Sequence, residues 1–443
     1  MIDDELDKFS SNVFQFLGID KEVKGLLVKK HSNNLQILGD YSFPNTVKSW
    51  SELLNSKVLQ NVTETLLQYL KKDIDSLLQE SKSWALPIKK VIEIKDRVHI
   101  FLERPLAIRT ALSQSVITNE NILNNLNKGI SLVEHESLNS SCVTSLRLRY
   151  TVNVIKNLYL LNEKCSDIKP KVFVTTRSTT KCEESRVILC GAVLNAKTGT
   201  KESSINAEEL ISIRQYELTL IAQHKYGVRV STDSKWKEFI AHLGESAVAF
   251  ELLQIRPSSS IKIQFDASSG SSKGAAFILY NCARLETIIR TFNEKVNEGS
   301  YPVLPDLDEI QISLLTHEDE WCLVFNYILG LPALLKMCVE VSNERCEFRP
   351  HLICAYLSSM VKVFSQYYRK VRILTFSLLQ NRNTGTHLVC RRMKSCALEA
   401  GVRRRRNLRA AGRLITSWKR TGYRIFSSYF RESLNIKNVY LMI

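Results

Sequence analysis

The stretch Gly274-Ala275-Ala276-Phe277-Ile278-Leu279-Tyr280-Asn281-Cys282-Ala283-Arg284-Leu285-Glu286-Thr287-Ile288-Ile289-Arg290 decides how this chain is read. It belongs to one long helix predicted over 273–295. On that helix Phe277, Tyr280, Arg284 and Thr287 share a face. An aromatic ring that can stack on an unpaired base then sits one turn from a guanidinium that can reach a phosphate or a base edge. The competing reading packs Tyr280 into a core and pairs Arg284 with Glu286 or Asp308. A second stretch, Pro350-His351-Leu352-Ile353-Cys354-Ala355-Tyr356-Leu357, opens another helix. There Cys354, Leu357, Val361, Phe364 and Tyr368 recur at spacings of three and four, and His351 reads as a cap or packing residue. Between the two, a helix is predicted over 308–315. Thr316-His317-Glu318-Asp319 reads as a capping box before a helix starting near Glu320, which Pro332 kinks or restarts. Such helices are too apolar on one face to stand alone in water, so a bundle is expected.

Upstream the signals change. Val58, Val62, Leu66, Leu67, Leu70, Ile74, Leu77 and Leu78 recur at helical spacing, predicting a helix over 57–80. Lys89-Lys90-Val91-Ile92-Glu93-Ile94-Lys95 alternates with period two, and a Lys95-Asp96-Arg97 turn leads into Val98-His99-Ile100-Phe101-Leu102, a hairpin. These make a small α+β domain over 1–115. From 116 to 260, helix-like segments at 146–161 and 206–225 alternate with short strand-like ones at 171–174 and 186–190, the pattern of an α/β layer. Segments 175–185 and 195–204 read as polar loops.

Of 443 residues 44% are apolar and 24% charged, ordinary globular usage that excludes long disorder or a fibrous chain. The net charge of +16 is unevenly spread: thirteen Lys or Arg stand against one acid between Arg391 and Arg431, carrying three quarters of it. A basic excess points to a polyanionic partner, most often nucleic acid. The acidic opening Met1-Ile2-Asp3-Asp4-Glu5-Leu6-Asp7 lacks the marks of a signal or transit peptide. The longest apolar stretch, Trp321 to Leu335, is interrupted by Asn326, Gly330 and Pro332 and falls short of the roughly 18 residues that span a bilayer. The expectation is a cytoplasmic chain, or one also found in the nucleus, with no membrane partner. Eleven cysteines without a C-x-x-C pair read as reduced core thiols, with no metal site.

No catalytic motif emerges. The histidines at 31, 99, 135, 224, 242, 317, 351 and 387 never fall three or four apart, so H-x-x-H, H-E-x-x-H and H-x-G-H are impossible. Walker, dinucleotide-binding and nucleophile-elbow patterns are missing too. Gly270-Ser271-Ser272-Lys273-Gly274 has the look of a phosphate-cradling turn but lacks the spacing, and reads as a loop and helix start.

The two helical stretches, in this order and about seventy residues apart, resemble the DALR anticodon-binding domain of arginyl-tRNA synthetases. Its helices read roughly G-x-x-x-x-Y-x-x-A-R and P-H-x-I-x-x-Y-L, and the likeness runs from about Ile261 to Ala400. Ile88 to Leu102 is similar to the end of the synthetase N-terminal domain. The resemblance implies a multi-domain α/β plus all-α architecture: an N-terminal α+β domain over 1–115, a degenerate class I synthetase-like α/β region over 116–260, a DALR helical bundle over 261–401 and a basic tail over 402–443. It also implies tRNA as partner, arginine isoacceptors in particular. Tyr280, Arg284, Arg290, Tyr367, Arg369, Lys370, Arg372, Arg391 and Arg392 form the candidate tRNA surface. A class I synthetase stabilises charge on ATP with H-x-G-H and K-M-S-K-S. The first is absent, and Lys197-Thr198-Gly199-Thr200-Lys201 stands where the second would fall. The resemblance therefore implies a non-catalytic adaptor, without cofactor, that helps present arginine tRNAs to a tRNA methyltransferase for 3-methylcytidine formation. The alternative is an arginine-tRNA ligase with a diverged site, which would need ATP. A third reading is a generic basic protein that binds RNA through its tail alone. That tail, with Leu408, Ala411, Ile415 and Trp418 on one face, reads as an RNA-binding helix, a nuclear localisation patch, a membrane-surface helix or a divergent chain end.

Overall fold

The structure, a computed structural model, describes residues 4–19, 27–54, 64–128, 132–136, 141–161, 171–177, 185–227, 234–265, 273–301, 303, 306–341 and 345–371. The first unit begins with a helix, Glu5–Phe16, whose N-terminus is capped by Asp4 accepting from the Asp7 N–H at 3.1 Å. It packs on a four-stranded antiparallel sheet of β1 (Lys29–Lys30), β2 (Tyr41–Pro44), β3 (Ile88–Ile94) and β4 (Arg97–Leu102), in the order β1-β2-β4-β3. The expected hairpin is present, closing from Ile94 opposite Arg97. Phe9, Val13, Tyr41, Phe43, Trp50, Val98 and Ile100 fill its core. The single helix expected over 57–80 is corrected. Its described part is two helices, Leu66–Tyr69 and Ile74–Ser81, because Lys71 turns into the left-handed region and Asp73 starts a new capping box, accepting from the Ser76 N–H at 2.6 Å.

A 25-residue helix, Arg104–Lys128, leaves this unit and runs through residue 115, where the sequence had placed a boundary. The middle region holds a parallel sheet of β5 (Val133–His135), β6 (Lys171–Thr175) and β7 (Ser185–Leu189), and a parallel pair of β8 (Val193–Asn195) with β9 (Ile261–Ile263). Helices Val143–Leu161, Ala207–Tyr226 and Ser234–Leu253 cover them. Arg147 is fully buried. Its guanidinium donates to the carbonyls of Gly191, Leu252, Arg256 and Ser259 at 2.7–3.1 Å, stapling two chain stretches, around 191 and over 252–259, to one helix. Close by, Arg214 is buried against Glu217 and, bidentately, Glu251.

The helical part opens with Lys273–Asn297. Residues 308–315 form no helix, another correction: two 3₁₀ turns, Leu307–Glu309 and Ile312–Leu314, take their place. A nearly continuous helical rod follows, made of Glu318–Cys322, a π-helical Leu323–Ile328 and Leu331–Cys338, with Pro332 in the first turn of the last. The rod is 21 residues long and apolar enough by length and composition to cross a bilayer; Asn326 lies within the π segment and Gly330 keeps a right-handed helical backbone, so neither breaks it. Two thirds of it lies inside the protein, and it fills the bundle core. A short hairpin, β10 (Val339–Val341) with β11 (Cys346–Phe348), leads to the last described helix, His351–Lys370.

Candidate nucleic-acid interface

Arg284 sits on the Lys273–Asn297 helix one turn after Tyr280, as the spacing requires. Its guanidinium carbon lies 4.6 Å from the Tyr280 ring centroid and 4.2 Å from that of Tyr368, contributed by the His351–Lys370 helix. Nη2 donates to the Tyr280 hydroxyl at 2.7 Å and Nη1 to the Asn281 side-chain oxygen at 3.4 Å. Asn281 is itself fixed, buried and donating to the Phe277 carbonyl. Two rings and two acceptors therefore hold one cationic plane, and a guanidinium stacked this way keeps donors free at its edge for a phosphate or base. Among the described residues no carboxylate comes within salt-bridge distance of Arg284. Asp308, one of its anticipated partners, is paired with Arg109 at 3.0 Å instead. Phe277 and Tyr280 are both exposed at the same surface.

The remaining predicted residues divide. Tyr367 is corrected: it is buried, and its hydroxyl donates to Glu320 Oε1 at 2.9 Å, so its ring is not available for stacking on RNA. Burial raises the Glu320 carboxyl above its ordinary range, opposed by hydrogen bonds from the His317 N–H and Tyr367. Adjacent helical residues point about 100° apart, so one of two neighbouring tyrosines faces the core and the other the rim. Tyr368, read from spacing as a core position, is the one that reaches Arg284. Arg369 is exposed, with Nε donating to the Ser365 carbonyl at 3.3 Å, and Lys370 is held by Asp319 at 2.6 Å. Arg290 lies half-exposed six residues beyond Arg284, about 240° further around the helix, and 3.9 Å from Glu294. Arg372, Arg391 and Arg392 lie outside the described residues, as does most of the 270–274 turn. Asn281 was missed; no sequence pattern marks a buried amide that orients its neighbour.

Over 273–371 the sequence carries twelve acids and ten Lys or Arg, so this part of the chain is not a basic surface. What distinguishes its described residues is the Arg284 guanidinium, held over two rings.

In the middle region, ligands of α/β sheets lie at the carboxyl ends of parallel strands. At that end Glu136 accepts from the Thr175 hydroxyl, the Thr176 hydroxyl and the Thr176 N–H and pairs with Arg177. The first turn of the Val143–Leu161 helix is filled: Val143, Thr144 and Ser145 are buried, and Thr144 accepts from the Val193 N–H. Lys197-Thr198-Gly199-Thr200-Lys201 forms a tight reverse turn in which Asn195 accepts from the Lys197 N–H and Gly199 adopts a left-handed backbone.

The family profile of the DALR anticodon binding domain matches residues 278–384. "DALR anticodon-binding domain-containing protein 3" of Danio rerio is 30% identical over 198 residues, covering 43% of this chain and 34% of the relative, so the match spans about a third of that relative's length. Arginine–tRNA ligase of Methanocella arvoryzae is 28% identical over 143 residues, 32% of this chain and 22% of the ligase. Among solved structures, Thermus thermophilus arginyl-tRNA synthetase aligns with a TM-score of 0.50 at 11% identity, covering 97% of this chain and 98% of that one. The Plasmodium falciparum arginyl-tRNA synthetase aligns with a TM-score of 0.51 at 10% identity, covering 98% of each chain. At such identities the likeness concerns the fold: a mixed helix and sheet chain of arginyl-tRNA synthetase architecture, with a DALR domain toward its C-terminus.

Proposed function

We propose that this chain is a tRNA-binding adaptor of synthetase descent. It recognises arginine tRNAs through the anticodon arm and presents them to a partner methyltransferase that forms 3-methylcytidine in the anticodon loop. The observation that carries the RNA-binding reading is the Tyr280–Arg284–Tyr368 stack, which falls within the segment matching the DALR domain. Single-stranded loops are recognised by rings and guanidinium planes that stack on splayed bases, with donors turned to base edges and phosphates. The basic segment 391–431 adds affinity without sequence choice, because contacts to phosphates are the same for every base.

The adaptor reading draws support from the middle region, where the polar groups at the strand ends bond to one another and the first helical turn is packed. Crosslinking the protein to RNA in cells tests RNA recognition, with Arg284→Ala run beside the native chain. Strong enrichment of a few arginine tRNAs that the substitution abolishes supports the reading; equal recovery of all tRNAs by both removes it. Arginine-dependent turnover of ATP with arginine tRNA by the purified chain would establish the ligase instead.

A further inference from the structure

Four consecutive residues, Glu318, Asp319, Glu320 and Trp321, reach four separate partners far away in the chain. Glu318 takes the Arg104 guanidinium bidentately at 2.7 and 3.0 Å, and the Trp321 indole N–H donates to Asp40 Oδ1 at 2.7 Å. Both partners belong to the N-terminal part of the chain: Arg104 begins the long helix, and Asp40 also accepts from the Leu102 N–H of β4 at 2.8 Å. The Arg104 guanidinium further lies over the Trp321 ring, 5.3 Å from its centroid. The two residues between them turn the other way. Asp319 holds Lys370 at 2.6 Å, and Glu320 accepts from Tyr367 at 2.9 Å. These partners flank Tyr368, the ring that closes over Arg284.

We infer that the Glu318–Trp321 turn is a positioning device that couples the seating of the N-terminal domain to the geometry of the Arg284 site. The inference rests on the RNA-binding reading above. Tyr368 stands in the last turn of helix His351–Lys370, and that turn is tied to the rest of the fold through Asp319 and Glu320. Because all four interactions leave one helical turn, displacing Glu318 or Trp321 displaces Asp319 and Glu320 with them, and the second ring of the stack moves. A guanidinium held by only one ring must be ordered during binding, and that ordering cost lowers affinity. Among the described residues, Arg104 and Asp40 make no hydrogen bond or ion pair with those assigned to RNA and reach them through this turn.

A double-mutant cycle on the full chain tests it, with an arginine tRNA transcript as probe. Arg104→Ala is expected to weaken binding about three- to tenfold. The loss in the Arg104→Ala, Arg284→Ala pair is expected to be smaller than the product of the two single losses. The exchange Arg104→Glu with Glu318→Arg, which rebuilds the ion pair in reverse, restores affinity. If Arg284→Ala weakens binding and Arg104→Ala does not, or if the two effects multiply independently, the coupling is overturned while RNA recognition stands. If Arg284→Ala itself binds as the native chain does, the RNA-binding reading fails first. A thermal melt of each variant identifies any that merely unfolds, and the charge-reversed pair then decides.

Discussion

The guanidinium of Arg284 and the ring of Tyr368 meet 4.2 Å apart across two helices, although 84 residues separate them in the chain. The pairing joins the two stretches whose order and spacing carried the family resemblance. A fixed cation between two rings is a costly arrangement for a surface that has no ligand, since it immobilises three side chains.

Replacing Arg284 by alanine removes the plane and its donors, and is expected to lower affinity for arginine tRNA by tenfold or more, given about 1–3 kcal/mol for each base that no longer stacks. Lysine should not rescue it, because an ammonium neither stacks nor forks. Filter binding measures both variants, and lysine at full affinity would assign Arg284 a purely coulombic role.

Removing 402–443 takes away most of the basic segment. The slope of log affinity against log salt should flatten by nearly one unit for each phosphate that is no longer neutralised, while preference for arginine tRNA over another tRNA persists. Disappearance of that preference would shift recognition to the tail.

Arg147→Leu strips donors from four carbonyls at once, those of Gly191 and Leu252 buried. A loss of about 1–3 kcal/mol is expected for each buried carbonyl left without a partner, read as a lowered midpoint in urea unfolding. The buried position of Gly191, where an added Cβ would lie 2.5 Å from the Ser259 carbonyl oxygen, makes Gly191→Ala disruptive at the same place.

Asp40 supplies a pH signature. Burial pushes its carboxyl up to about 6, against the hydrogen bonds from Leu102 and Trp321 that favour the anion. An acid whose folded pKa exceeds its unfolded value of about 3.9 stabilises the fold fully below that value, and the contribution is lost as pH rises through about 6. The native chain should therefore lose stability relative to Asp40→Asn between about pH 4 and pH 6–7, on the order of 3 kcal/mol. Chemical denaturation at several pH values reads it, and a constant difference would show that Asp40 titrates normally.

Much of this was legible in the sequence where signals are local. The helix expected over 206–225, the β3–β4 hairpin and the helix after Pro350 stand where their residues put them, and Tyr280 and Arg284 share the face that i, i+4 spacing dictates. Failures came where long-range packing overrides local pattern. Tyr367 and Tyr368 are indistinguishable by composition, and only the crossing of two helices decides which faces inward. The apolar residues from Leu66 to Leu78 fit one helix, yet Lys71 and Asp73 break it. Arg104–Lys128 carries too weak an apolar stripe to announce itself. The link from Trp321 to Asp40 spans 281 residues and leaves no trace in either neighbourhood.

The turn at Glu318–Trp321 also limits how this chain can change in length. Consecutive side chains on a helix point about 100° apart, so four in a row sweep most of the circumference and each finds its own partner. One residue inserted between Asp319 and Glu320 would rotate every later side chain of the rod by that angle, withdrawing Trp321 from Asp40 and Glu320 from Tyr367 together. No single substitution could restore both. Relatives of this fold can therefore gain or lose residues in loops such as 195–204, but this turn admits replacement of side chains and not a shift of register.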